Sequence, residues 1–181
     1  MFFSFFYLYF THHALSLQQE STFDEMKSLL LLIGKTTNKH VSCCIDDYVG
    51  RIGHYMPFEI QVIPELKNTK SMSTSQQKQR EGELLLNKIQ EGDHVVLLYE
   101  PGQELRSVEF AKWLEKRQQS GRRLVFVIGG AYGFSDAVYH RANEKLSLSK
   151  MTFSHQLVRL IFTEQVYRAC TIIKGEPYHH E

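Results

Sequence analysis

Three short runs, residues 29–33 (LLLLI), 95–99 (VVLLY) and 124–128 (LVFVI), are almost wholly apolar and carry no charge. A strand with one face in water alternates apolar and polar side chains, so a strand apolar at nearly every position must be buried on both faces. Five residues are far too few to cross a bilayer, which takes about 20. Sheets covered on both sides are parallel sheets, because each parallel crossover lays a helix against one face. The runs therefore predict an α/β fold, a mostly parallel sheet with helices on both faces.

The intervening segments supply those helices. Residues 38–55 place Val41, Ile45, Tyr48, Val49 and Ile52 at helical spacing, with Pro57 just beyond. Residues 58–63 (FEIQVI) alternate and read as a half-exposed strand, and residues 67–75 are polar and turn-rich, a surface loop. Ser73 with Gln76 has the spacing of a capping box and opens a helix to about Gln90. A turn is expected at Pro101-Gly102, then a helix over 107–119 with Phe110, Ala111 and Leu114 inward.

At 181 residues the chain is large enough for one compact domain. Lys and Arg number 21 against 20 Asp and Glu, which excludes a global basic field, so any nucleic acid must be met by a local patch. Residues 1–10 (MFFSFFYLYF) are too short to span a membrane, with no preceding Lys or Arg and no small-x-small cleavage signal. Residues 1–25 are expected to be a non-native or disordered extension, with Met26 the true start and 26–181 the single domain. Cys43, Cys44 and Cys170 form no CxxC pair, which argues against a disulfide framework or zinc site and for a reducing cytoplasmic compartment.

In parallel sheets ligands bind beyond the carboxyl ends of the strands. Two loops leave that edge with unusual chemistry: Tyr99-Glu100-Pro101-Gly102, and Gly129-Gly130-Ala131-Tyr132-Gly133 ahead of a cap at Ser135. Neither GxGxxG nor GxxxxGK[ST] is present, which excludes the dinucleotide fingerprint and the P-loop. Nine of the fourteen residues from 157 to 170 are apolar, so this last helix needs cover on nearly all sides, and a second subunit is expected to provide part of it. Glu164 and Arg168 stand one turn apart and are expected to pair. The tail, Tyr178-His179-His180-Glu181, is a poor metal site because adjacent histidines point apart. Its phenol, imidazoles and carboxylate do suit a nucleobase edge and its proton.

The stretch FVIGGAYGFSDAVYHRANEKLSLSKMTFSHQLVRLIFTEQVYRACTIIKGEPYHHE resembles the bacterial RlmH family, the 23S ribosomal RNA pseudouridine-N3 methyltransferases of the SPOUT superfamily, and the likeness runs from Met26 to Glu181 with LIGK at its start. The resemblance implies a homodimer whose C-terminal half forms a trefoil knot around S-adenosylmethionine, an exception to the general absence of knots. It implies cofactor contacts from Leu98, Gly130, Ser149, Lys150, Met151, Thr152, Phe153 and Ser154. It implies substrate contacts from His155 and Arg159, and a tail near the target base matched by Tyr178, His179 and Glu181. Members often carry Asp-Glu-Arg-Gly where this chain has Tyr99-Glu100-Pro101-Gly102, which weakens any role transferred from that Asp or Arg.

The reaction so implied is attack of a pseudouridine N3 on a sulfonium methyl, on the assembled ribosome or its large subunit, with neither metal nor membrane involved. The protein would align donor and acceptor and take the N3 proton, with His179 the first choice as acceptor. Tyr178 would orient the base, and Arg159 or Lys150 would hold a phosphate. Two rival classes are a non-catalytic ribosome-associated binding factor on the same fold and a nucleotide-binding oxidoreductase, the latter disfavoured by the missing fingerprint.

Overall fold

A computed structural model describes residues 28–180. The expectation for residues 1–25 lies outside this range, as does Glu181. Five strands, β1 (Ser28–Ile33), β2 (Phe58–Ile63), β3 (His94–Glu104), β4 (Leu124–Ile128) and β5 (Glu144–Ser147), form one sheet in the order β2-β1-β4-β3-β5. Every pairing is parallel. The three apolar runs occupy its middle: β1 and β4 are buried at every position, and Val95, Val96 and Leu97 of β3 are 0% exposed.

Five helices cover the sheet: α1 (Lys39–Ile52), α2 (Thr74–Leu86), α3 (Ser107–Gln118), α4 (Asp136–Arg141) and α5 (Leu157–Lys174). The period-2 geometry of a strand divides their contacts between two cores. Leu30, Leu32 and Phe126 pack with Ile52 of α1, Leu114 of α3 and Phe162 and Val166 of α5. Leu29, Leu31, Val125 and Val127 pack with Leu85 of α2 and Val138 of α4. Helices thus lie on both faces, as expected.

The helix starts follow local chemistry. Asn38 Oδ1 accepts from the amides of His40 and Val41 at 3.0 and 3.2 Å. Ser73 and Gln76 close the expected capping box, at 3.2 and 2.9 Å. Helix α2 stops at Leu86, short of Gln90. Ser135 does occupy the position before α4, but its hydroxyl makes no capping bond.

At Pro101-Gly102 the structure differs from the expected turn. Strand β3 continues to Glu104, with an irregularity between Leu98 and Gln103, both of which pair with Leu146 of β5. A bulge accommodates a proline, which has no N–H to give the ladder.

At the amino end of β5 Glu144 ties this edge strand down. Its Oε1 meets His94 Nε2 and an Arg117 guanidinium nitrogen at 2.6 Å each, and its Oε2 accepts from Trp113 Nε1 at 2.8 Å. Burial opposes ionisation, but these partners outweigh it and hold the carboxyl below its ordinary range. Because the folded value is depressed, the stabilisation is present above the unfolded value near pH 4 and is lost as pH falls through the lower folded value. Glu144→Gln is expected to lower stability by about 1–3 kcal/mol at pH 7. Urea unfolding of both proteins across pH 3–7 checks this: the difference should shrink on acidification.

Candidate active site

The carboxyl end of β4, the irregularity in β3 after Leu98 and the exit from β5 converge on one cleft. Leu98, Tyr99 and Glu100 form one wall, and Gly129, Gly130, Gly133 and Phe134 after β4 form a second. The third comes from the segment between β5 and α5: Leu148, Ser149, Met151, Thr152, Phe153, His155 and Val158.

Each wall has a local cause. Gly133 has φ +80°, a region that costs glycine nothing, and its amide bonds to Gly130 O at 3.1 Å, closing the loop on itself. A Cβ on Gly129 would come within 2.7 Å of the Phe134 ring, so bare backbone is needed there. The third wall is a chain of hydroxyl bonds: Ser147 Oγ donates to Ser149 O at 3.0 Å, and Ser149 Oγ accepts from the Met151 amide at 2.9 Å. Thr152 Oγ1 donates to Glu100 Oε2 at 3.2 Å and joins the first wall to the third. Glu100, which matches the Glu of the family's Asp-Glu-Arg-Gly while Tyr99 and Pro101 depart from it, therefore has a place in the cleft.

Of the eight residues expected to hold the cofactor, Leu98, Gly130, Ser149, Met151, Thr152 and Phe153 line this cleft. Lys150 turns outward, with Nζ 3.7 Å from Glu104, and Ser154 caps α5, its Oγ accepting from the Leu157 amide at 3.2 Å. His155 lines the cleft half-buried. Burial first, then the nearby Arg159 charge, pushes its pKa below the ordinary value near 6.5, so the ring is neutral at neutral pH.

Arg159 departs from expectation. It is 1% exposed, and its guanidinium donates to Ile33 O at 2.7 Å, Gly34 O at 2.9 Å and Thr36 Oγ1 at 3.1 Å. Two of these acceptors are backbone carbonyls where β1 ends and the third is a hydroxyl just beyond, so the side chain turns into the fold and fastens α5 to β1 rather than offering itself to a phosphate.

The tail lies apart from the cleft of its own chain. The Tyr178 hydroxyl donates to Glu164 Oε1 at 3.1 Å, and the Tyr178 ring packs on Tyr167 with 4.8 Å between centroids. Burial, then hydrogen bonding to Tyr48, raises the Tyr178 pKa. His179 and His180 lie beside Arg106, Ser107 and Val108 at the start of α3. The expected Glu164–Arg168 pair is present at 2.6 Å. Helix α5 takes its cover from α1, α3 and this folded-back tail.

Phe134, Leu148 and Val158 were not foreseen as cleft residues, since nothing in their spacing separates them from core. Among the described residues, no group of three His, Cys, Asp or Glu is placed to hold a metal, and no helix is long and apolar enough to cross a membrane.

A parallel sheet with a cleft at its carboxyl edge, apolar walls and a glycine loop is the arrangement at which α/β sheets bind small ligands. The family described as "Predicted SPOUT methyltransferase" matches residues 26–179. Proteins named "Ribosomal RNA large subunit methyltransferase H" from Bacteroides fragilis and Bacteroides thetaiotaomicron are each 57% identical over 157 residues, covering 86% of this chain and all of theirs. The protein of that name from Flavobacterium johnsoniae is 52% identical over the same span. The chain belongs to the SPOUT methyltransferases, in the RlmH family, and is a methyltransferase.

Proposed function

We propose that this protein transfers a methyl group from S-adenosylmethionine to N3 of a pseudouridine in 23S ribosomal RNA, acting in the cytoplasm on the assembled ribosome or its large subunit. The observation that carries the reading is the gathering of Leu98, Gly130, Met151 and Phe153 with a neutral imidazole, His155, around one cleft. The residues present suit the cofactor. Leu98, Met151 and Phe153 offer apolar surface to an adenine, and the backbone of the glycine loop and of Ser149–Thr152 offers hydrogen bonds to ribose and base edge. When bound, the cofactor supplies its methyl as an electrophile already activated by the sulfonium.

The chain's residues then have three tasks: to hold the reactants in line, to exclude water, and to take the N3 proton. His155 is the acceptor we assign, because it is the imidazole in the cleft and is held unprotonated. Tyr178, His179 and Glu181 enter as the contribution of a second copy, whose tail would reach the target base in a homodimer. The trefoil knot implied by the resemblance belongs to the same proposal.

Mass spectrometry of large-subunit rRNA from a strain lacking this protein tests the reading. One methyl should be lost from a pseudouridine and return when the gene is restored. An unchanged methylation pattern would contradict it.

A further inference from the structure

Behind the glycine loop lies a buried acid that the mechanism above does not use. Glu81, on α2, is 4% exposed. Its Oε1 accepts from Gln77 Nε2 at 2.9 Å, whereas its Oε2 is sealed from solvent and has no hydrogen-bond partner. The carboxyl group fills the space that a side chain at Gly130 would take: a Cβ there would collide with Oε2 and stand 2.8 Å from the carboxyl carbon. Gly130 is itself part of the cleft wall. A single residue without a side chain therefore separates this acid from the proposed donor site. The neighbouring Gly82 lets the loop press equally close, since a Cβ there would collide with Ser135 Oγ.

An incompletely partnered acid in a core costs stability, so its position calls for a compensating interaction. The cofactor offers one. S-adenosylmethionine carries a permanent positive charge on sulfur, while the demethylated product, S-adenosylhomocysteine, is a neutral thioether at that atom. Across one residue, a cation would favour the ionised form of Glu81 and be stabilised by it, whereas a neutral thioether would do neither.

We propose that Glu81 is a positioning residue that acts through Gly130, shifting the preference of the cleft toward the cationic donor and away from the neutral product. This rests on the reading of the cleft as the donor site.

Isothermal titration calorimetry on the full chain with both compounds tests it. Glu81→Gln keeps the side-chain size and the contact with Gln77 but removes the charge. It should reduce the ratio of product Kd to donor Kd about tenfold, chiefly through weaker donor binding. Glu81→Asp keeps the charge and should hold the ratio within about twofold, even where both compounds bind less tightly. A ratio unchanged in Glu81→Gln would make Glu81 a packing residue only and overturn the proposal. A second measurement needs no variant: sinefungin, which carries an ammonium in place of the sulfonium, should bind the wild-type protein about tenfold more tightly than the thioether, and equal or weaker binding would overturn the proposal. Wild-type protein that binds none of the three would instead refute the cleft as donor site, and this proposal with it.

Discussion

His155→Ala is expected to slow methylation of ribosomal RNA by a hundredfold or more while leaving S-adenosylmethionine affinity within a few-fold of wild type. General base catalysis contributes about 10²–10⁴-fold when the base is well placed. His155 lines the cleft half-buried, and its side chain is small beside the apolar surface of Leu98, Met151 and Phe153 that would hold an adenine. The pH dependence separates a proton acceptor from a mere contact. Because burial and the Arg159 charge depress the folded pKa, the ring is in its accepting form throughout the neutral range, and the wild-type rate should fall only at pH values below the ordinary imidazole value near 6.5. That acid limb should be missing from the residual activity of the variant. Single-turnover rates across pH 5–8 measure both. Wild-type rates in His155→Ala, with the acid limb intact, would move the base elsewhere, and His179→Ala would then be the variant to show the loss.

The second large effect concerns Gly102→Ala. A Cβ at Gly102 would stand 2.7 Å from the carbonyl carbon of Leu146, 2.8 Å from that of Lys145 and 2.8 Å from Tyr99 O. All three are backbone atoms, so none can swing aside as a side chain would. Relief requires β3 and β5 to separate at the bulge, the point that sets both Leu98–Glu100 and the exit toward Ser149. Overpacking of this kind costs about 1–3 kcal/mol, and contact with backbone places it at the upper end. The variant should lose about 3 kcal/mol in urea unfolding and bind S-adenosylmethionine at least tenfold more weakly even where it is fully folded. Gly92, where a Cβ meets nothing within 4 Å, gives the control: Gly92→Ala should leave affinity unchanged.

Much of the scaffold is legible in the amino-acid order because its causes are local. Unbroken apolar runs mark β1 and β4 since both faces of each are covered, and Asn38 and Ser73 mark helix starts since their side chains bond to amides two or three residues on. Strand β5 escapes such a reading. It is four residues, EKLS, with Leu146 its one large apolar side chain, and it exists because β3 lends it a ladder. Helix α4, six residues long, has too few turns for periodicity to register.

The same division runs through the site. The resemblance marked Leu98, Gly130 and residues 149–154, of which Leu98, Gly130, Ser149, Met151, Thr152 and Phe153 line one cleft while Lys150 and Ser154 do not. Arg159 on a helix reads as a surface cation, yet its partners Ile33 and Gly34 lie 126 and 125 residues earlier in the chain, and only the completed sheet presents their carbonyls. Glu81 is one polar residue in a polar helix until the fold sets it against Gly130.

A crystal structure with S-adenosylhomocysteine tests the central claim most directly. The account predicts the adenosine between Leu98 and Met151–Phe153, with backbone of the Gly129–Gly133 loop hydrogen-bonded to it and the sulfur facing His155. A nucleoside bound anywhere else on the protein, with that cleft closed by its own side chains, would contradict it.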